Sequence, residues 1–285
     1  MMAAPSTLTL GRVRSGAAGI VQKPFKAFGQ WVLFIAQVFW YLPLTVRKYY
    51  RQTLAATLNM AWGRGALIVD GGTISVLLIL GVATGASLAI EALAILDILG
   101  FGSLAGIIGG IGAVRILGPI VAGIAFMAQA GTRMTAEIGA MRISEEIDAI
   151  DSMGLRPIPF VVGTRLIGAL TCVIPGYLLT LLGVFYTMEA VAVLFNGQPG
   201  GTYTHYFVQF LNPIDLLYST IKLSSYCVAV TLIHCYYGYF ASGGPVGVGQ
   251  ASGRAVRASL VTIVVLDFTT TVLLWGLQPV FVFKG

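Results

Sequence analysis

Charge is what this sequence has least of. Only 10% of its 285 residues are Asp, Glu, Lys or Arg, against about a quarter in a soluble domain, so a water-soluble globule is excluded as the main architecture. Histidine occurs twice (His205, His234) and cysteine three times (Cys172, Cys227, Cys235). With no CxxC pair and no clustered His/Cys set, there is neither a disulfide frame nor a metal site, and the cysteines read as small core residues. GxxxxGK[ST], HExxH and GxSxG are also missing, which removes the phosphate-cradling loop and the common hydrolase signatures. The loose run Gly247, Gly249, Gly253 has no βαβ setting. The chain is expected to be non-enzymatic and to hold no cofactor itself. Its first residues lack a sustained apolar core before a cleavage site, so no signal peptide is expected.

What is abundant is apolar sequence, 57% of the chain. A spanning helix needs about 20 mostly apolar residues, and five such stretches occur, at 66–90, 103–132, 162–189, 214–240 and 259–283. The fold class expected is all-α: a polytopic membrane protein with five transmembrane helices. Within the first, Gly81 and Gly85 form a small-xxx-small pair suited to close helix packing. Within the second, Gly118-Pro119 predicts a kink. Residues 1–24 form a mobile basic N-terminus. Residues 25–64 hold an aromatic-rich helix with Gln30, Gln37 and an interrupting Pro43. That composition suits the membrane interface, with a sixth span as the alternative. The remainder, 65–285, is a single membrane domain.

The formal charge of +6 does not point to nucleic acid. Eight of the seventeen basic residues precede Gly65, and others flank 137–157 (Arg133, Arg142, Arg156, Arg165) or sit at Arg254 and Arg257. Basic residues beside span ends mark the cytoplasmic side. Glu91 and Asp97 have no basic neighbour and belong to an external loop on this reading, as does the Gly/Pro-punctuated stretch 196–213. The glycine-rich 241–257 reads as an inside loop. Counting crossings puts the N-terminus in the cytoplasm and the C-terminus outside.

One polar interruption organises the chain. Residues 137–157, EIGAMRISEEIDAIDSMGLRP, contain five of the eleven acidic residues. Ser144 is a natural N-cap, Glu145, Glu146 and Asp148 suit a positive helix start, and Gly154 followed by Pro157 ends the segment. A short helix at about 144–154 follows, with Ile147, Ile150 and Met153 as an apolar ridge beside the acids. Slung between two spans, it reads as a handle for a soluble partner. The alternative is that the ridge packs on its own protein.

Charges inside the spans are costly, about 2.5–3.5 kcal/mol each, so Arg115, Lys222 and Asp267 must face protein or a wet cavity. They line a substrate path, form ion pairs between spans or, for Lys222, snorkel near the outer end. Asp215 and Lys222, seven apart, share one helical face.

The run Ala136-Glu137-Ile138-Gly139-Ala140-Met141-Arg142-Ile143-Ser144-Glu145-Glu146-Ile147-Asp148-Ala149-Ile150 closely resembles the signature of the MlaE/YrbE permeases of lipid-transporting ABC systems, A-E-[LI]-G-x-M-[RK]-[VI]-[ST]-E-[EQ]-I-D-A-[LI]. The likeness in span count and N-terminal helix extends over about residues 25–283, and the basic, aromatic N-terminal region looks most like B-type YrbE subunits of actinobacterial (mycobacterial-type) Mce systems. The resemblance implies a permease working as a dimer with a second YrbE-like chain. It also implies an ABC ATPase dimer, holding ATP and Mg, docked at Glu145, Glu146, Ile147, Asp148, Ile150, Asp151 and Met153. MCE-domain proteins outside and a lipid cargo, fatty acids or related envelope lipids, most readily imported, complete what it implies. Two departures stand out: the family's R-E-x-G-P start reads Arg115-Ile116-Leu117-Gly118-Pro119, and Gln129 replaces a second arginine, with Arg133 one turn on. Competing readings are an ATPase-independent secondary transporter and a non-transporting membrane scaffold.

Overall fold

In hydrocarbon a backbone N–H or C=O has no water to bond, so an apolar run must satisfy itself as a helix. The structure, a computed structural model, describes residues 28–63 and 72–276. The basic N-terminus, the expected start of the first span and the expected end of the last lie outside these residues. The described chain folds as helices: α1 (Phe28–Trp40), α2 (Leu42–Lys48), α3 (Tyr50–Trp62), α4 (Thr73–Ile98), α5 (Gly102–Ile143), α6 (Glu146–Ser152), α7 (Ile158–Phe195), α8 (Gly200–Phe210), α9 (Pro213–Tyr239) and α10 (Gly244–Trp275). Five of them, α4, α5, α7, α9 and α10, are long and apolar enough to cross a membrane. The architecture is that of an all-α, multi-pass membrane protein.

Alternation of the five spans puts α6 and the α9–α10 turn at one end, here the handle end, and α8 at the other. The N-terminal helices belong to the handle end. α1 and α2 meet at a 42° bend at Tyr41, with Pro43 in the first turn of α2. Trp31 stacks on Tyr236 with centroids 3.7 Å apart, and Phe34 meets Tyr236 and Phe240 edge-on. Phe28 and Trp40 are exposed. The buried Thr45 of α2 donates to the Pro159 carbonyl at 3.2 Å, and α3 then lies along α7, with the Thr57 backbone close to Gly168.

α4 packs along α7 through the glycine pair expected from sequence. A Cβ on Gly85 would stand 3.0 Å from Val184 Cα, so only glycine lets the two backbones approach this closely. The 42 residues of α5 and 38 of α7 would be about 63 and 57 Å long if straight, roughly twice the ~30 Å hydrocarbon core. Both therefore extend past the bilayer.

Several boundaries differ from expectation. Glu91 and Asp97 are not in a loop but in the last turns of α4. The second span does not end at 132: α5 carries on to Ile143 and takes in Glu137 and Arg142. Instead of a plain kink, it contains two π-helical segments, Ile108–Leu117 and Met127–Gly131. The stretch 196–213 holds a helix, α8, whose Tyr203 is buried above Gly109. Burial pushes the Tyr203 hydroxyl pKa well up, and the nearby Glu189 carboxylate adds to it. The glycine-rich 241–257 is no loop beyond Gly243: α10 begins at Gly244, and Gly247, Ala251, Ala255 and Ser259 form its buried stripe.

Candidate functional site

The handle is built where α5 runs out. Ser144 is not the cap of the next helix; its hydroxyl donates back to the Ala140 carbonyl at 3.0 Å and sits 3.0 Å from Glu146 Oε1. Glu145 holds the N-cap position instead, in a left-handed conformation with φ 60°. The chain thereby turns sharply from α5 into α6. Gly154, with φ 74°, reverses the backbone after α6 at the expected position, where glycine alone is unstrained.

The ridge divides. Ile147 is 1% exposed and Ile150 8%, both packed into the main apolar core, as in the alternative in which the ridge packs on its own protein. Met153 is 68% exposed, and Glu145, Glu146, Asp148 and Asp151 face outward with it. Asp148 pairs with Arg142 at 2.7 Å, a surface contact of small energetic weight. α6 is therefore an acidic knob with one exposed thioether, riveted to the bundle by two isoleucines.

The second concentration of polar groups lies inside the bundle. Arg115 on α5 pairs with Asp215 on α9 at 2.8 Å, and Trp275 on α10 donates its indole N–H to Asp215 Oδ1 at 2.8 Å. Two turns along α9, Lys222 pairs with Asp267 on α10 at 2.7 Å and donates to Thr271 Oγ1 at 2.8 Å. The Tyr226 hydroxyl donates to Asp267 Oδ1 at 2.7 Å. The Trp275 ring lies 5.7 Å from both cationic groups. Asp215 and Lys222 are 3% and 1% exposed. Two cations meet two carboxylates, so the cluster is neutral and clamps α5, α9 and α10 together.

Arg115, Lys222 and Asp267 are thus brought together as intramembrane reasoning requires, paired and facing protein, and Lys222 does not snorkel. Sequence reasoning missed Tyr226, Thr271 and Trp275. The signal was present as spacing: Asp267, Thr271 and Trp275 recur every fourth residue on one face of α10, opposite Asp215, Ser219, Lys222 and Tyr226 on α9. Ile116, standing where the family pattern has glutamate, is exposed. His234, set aside in sequence, is buried, and its Nδ1 lies 2.7 Å from Thr135 Oγ1, tying α9 to α5.

A third polar site lies at the handle end between α3, α5 and α7. Glu137 accepts from Arg133 Nε at 2.8 Å and from Arg165 at 3.3 Å, and Arg133 also donates to Asn59 Oδ1 at 3.0 Å. A cavity of about 220 Å³ opens beside them.

Comparison with known proteins adds the following. The family model described as permease MlaE matches residues 63–273, roughly three quarters of the chain. A probable ABC transporter permease protein of Rickettsia prowazekii is 32% identical over 161 residues, covering 55% of this chain and 61% of that protein. The intermembrane phospholipid transport system permease protein MlaE of Haemophilus influenzae is 29% identical over 164 residues, 57% of this chain and 62% of its own. The chloroplast protein trigalactosyldiacylglycerol 1 of Arabidopsis thaliana is 29% identical over 157 residues, 54% and 44% respectively. The chain thus spans about three fifths of the length of the bacterial relatives it matches.

Proposed function

Because the chain belongs to the MlaE permease family, we propose that it is the membrane subunit of an ATP-driven lipid transporter in a bacterial inner membrane, non-catalytic itself. ATP and Mg belong to a separate ABC ATPase dimer that docks on α6. The observation that carries this reading is the handle: an acidic helix held beyond the bilayer by two over-long spans, with Glu145, Glu146, Asp148, Asp151 and Met153 on its outer face. Ile147 and Ile150 serve the docking indirectly, by fixing α6 to the bundle. Basic residues around the handle support a cytoplasmic placement of this end, with the C-terminus periplasmic.

The finer reading is of an Mce-type system. A second YrbE-like permease chain pairs with this one, MCE-domain proteins continue the path outside, and fatty acids or related envelope lipids are imported. Its support is the signature at 136–150 and the basic, aromatic N-terminal region. Within the membrane, the closed cluster of Arg115, Asp215, Lys222 and Asp267 fixes the helices that wall the lipid path, and the open flank of Arg115 meets the headgroup. A neutral, fully paired cluster offers no free proton relay, which favours an external motor over an ion-driven mechanism.

The test replaces Glu145, Glu146 and Asp148 with lysine in the native host. Loss of lipid flux and of ATPase co-purification, with the protein still inserted, supports the reading. Flux that survives favours an ATPase-independent transporter, and an absence of flux in the unmodified protein as well favours a scaffold.

A further inference from the structure

The cavity between α3, α5 and α7 is far along α5 from the Arg115 cluster and has different electrostatics. Among the described residues, two guanidinium groups there share one carboxylate: Arg133 and Arg165 both reach Glu137. Arg165 is only 16% exposed at its side chain, where an unbalanced cation is costly. Each guanidinium has five N–H donors in a planar fork. Arg133 uses Nε on Glu137 and one terminal nitrogen on Asn59; Arg165 uses its terminal nitrogens on the Val161 carbonyl, Glu137 and the Met141 sulfur. Among the described residues donors remain on both, and the adjoining space of about 220 Å³ is several times the roughly 30 Å³ of one water. The first turn of α4 lines the same space through Gly72 and Thr73, and a helix start adds to its preference for an anion.

We propose that this cavity binds a singly charged phosphate group between Arg133 and Arg165, carried either by a lipid headgroup or free in solution. Paired arginine forks suit phosphate geometry better than a point charge does. One negative charge brings the three ionised groups to neutrality. Glu137 then acts as a competitor: it occupies N–H groups that the phosphate would otherwise use, and so keeps binding reversible. α3, which walls the cavity, exposes Leu54, Leu58 and Trp62, an apolar surface that favours the lipid source. The inference goes beyond ATP coupling, since it concerns binding at rest.

Native mass spectrometry of the purified full-length chain tests it, with phosphatidylglycerol, phosphatidylcholine and inorganic phosphate as separate probes. Wild-type protein should retain phosphatidylglycerol over phosphatidylcholine, the double variant Arg133→Gln/Arg165→Gln should lose at least tenfold in apparent affinity, and Glu137→Gln should bind severalfold more tightly. The gain in Glu137→Gln cannot come from misfolding and keeps the test decisive if the double variant is unstable. Arginine-dependent binding of inorganic phosphate as tight as that of the lipid would assign a free anion to the site. Binding indifferent to both changes would overturn the proposal. Charge reversal on α6 should leave all of these affinities unchanged, which separates this site from the coupling reading.

Discussion

Lys222 donates to the carbonyl oxygen of Arg115 at 3.1 Å, inside the π-helical segment Ile108–Leu117 that ends just before Gly118-Pro119. The same ammonium neutralises Asp267 and bonds Thr271, so one side chain ties a carbonyl of α5 and a half-buried acid of α10 to α9.

Removing that ammonium should therefore be severe. Lys222→Met leaves Asp267 without its counter-ion, with the Tyr226 hydroxyl still donating to it, and breaking a buried pair costs about 3–5 kcal/mol. The double change Lys222→Met/Asp267→Asn should recover much of the loss, because the stranded charge goes with it. Thermal unfolding in detergent measures both; a double variant no better than the single one would contradict the clamp.

Glu145 offers a test of opposite sign. A left-handed φ costs a non-glycine residue about 1–2 kcal/mol, part of which glycine gives back through its looser unfolded chain. Glu145→Gly should leave the melting temperature level or raised by a few degrees, whereas Glu145→Val should lower it.

The two faces of α6 should separate in the same way. Ile147→Asp buries a charge in the core and should abolish stable expression. Met153→Asp changes an exposed position and should leave folding within about 0.5 kcal/mol. Under the coupling reading it should still weaken ATPase pull-down.

At the α4–α7 contact, Gly85→Val places a branched side chain against the Val184 backbone. Overpacking of this kind costs about 1–3 kcal/mol, and a lowered melting temperature without loss of membrane insertion is the expected result.

How much of this was legible in the sequence depends on which signal each element carries. The spans α4, α7 and α9 announce themselves by hydropathy, because nothing else explains so long an apolar run. The start of α10 does not: glycine lowers helix propensity by about 1 kcal/mol, and Gly243, Gly244, Gly247 and Gly249 suggest a turn. The overriding signal is the four-residue spacing of Gly247, Ala251, Ala255 and Ser259, whose small side chains are what close packing requires. Here Val248 crosses α5 at Gly139. α8 is hidden for a similar reason, its flanking glycines and prolines drawing the eye from the aromatic helix between them. At the handle, composition marks the place and both stop residues. The side-chain pattern could not say which face is inward, since an apolar ridge serves a partner or its own core equally well. Arg115 and Lys222 are conspicuous by cost alone, but their partners lie on other helices, so only the fold could match them.

The overshoot of α5 and α7 has a mechanical meaning. A knob on a slack loop would absorb a push by bending the loop. α6 is joined to its two neighbours by turns of a few residues and pinned inward by Ile147 and Ile150, so under the coupling reading a push on the knob reaches α5 and α7 together.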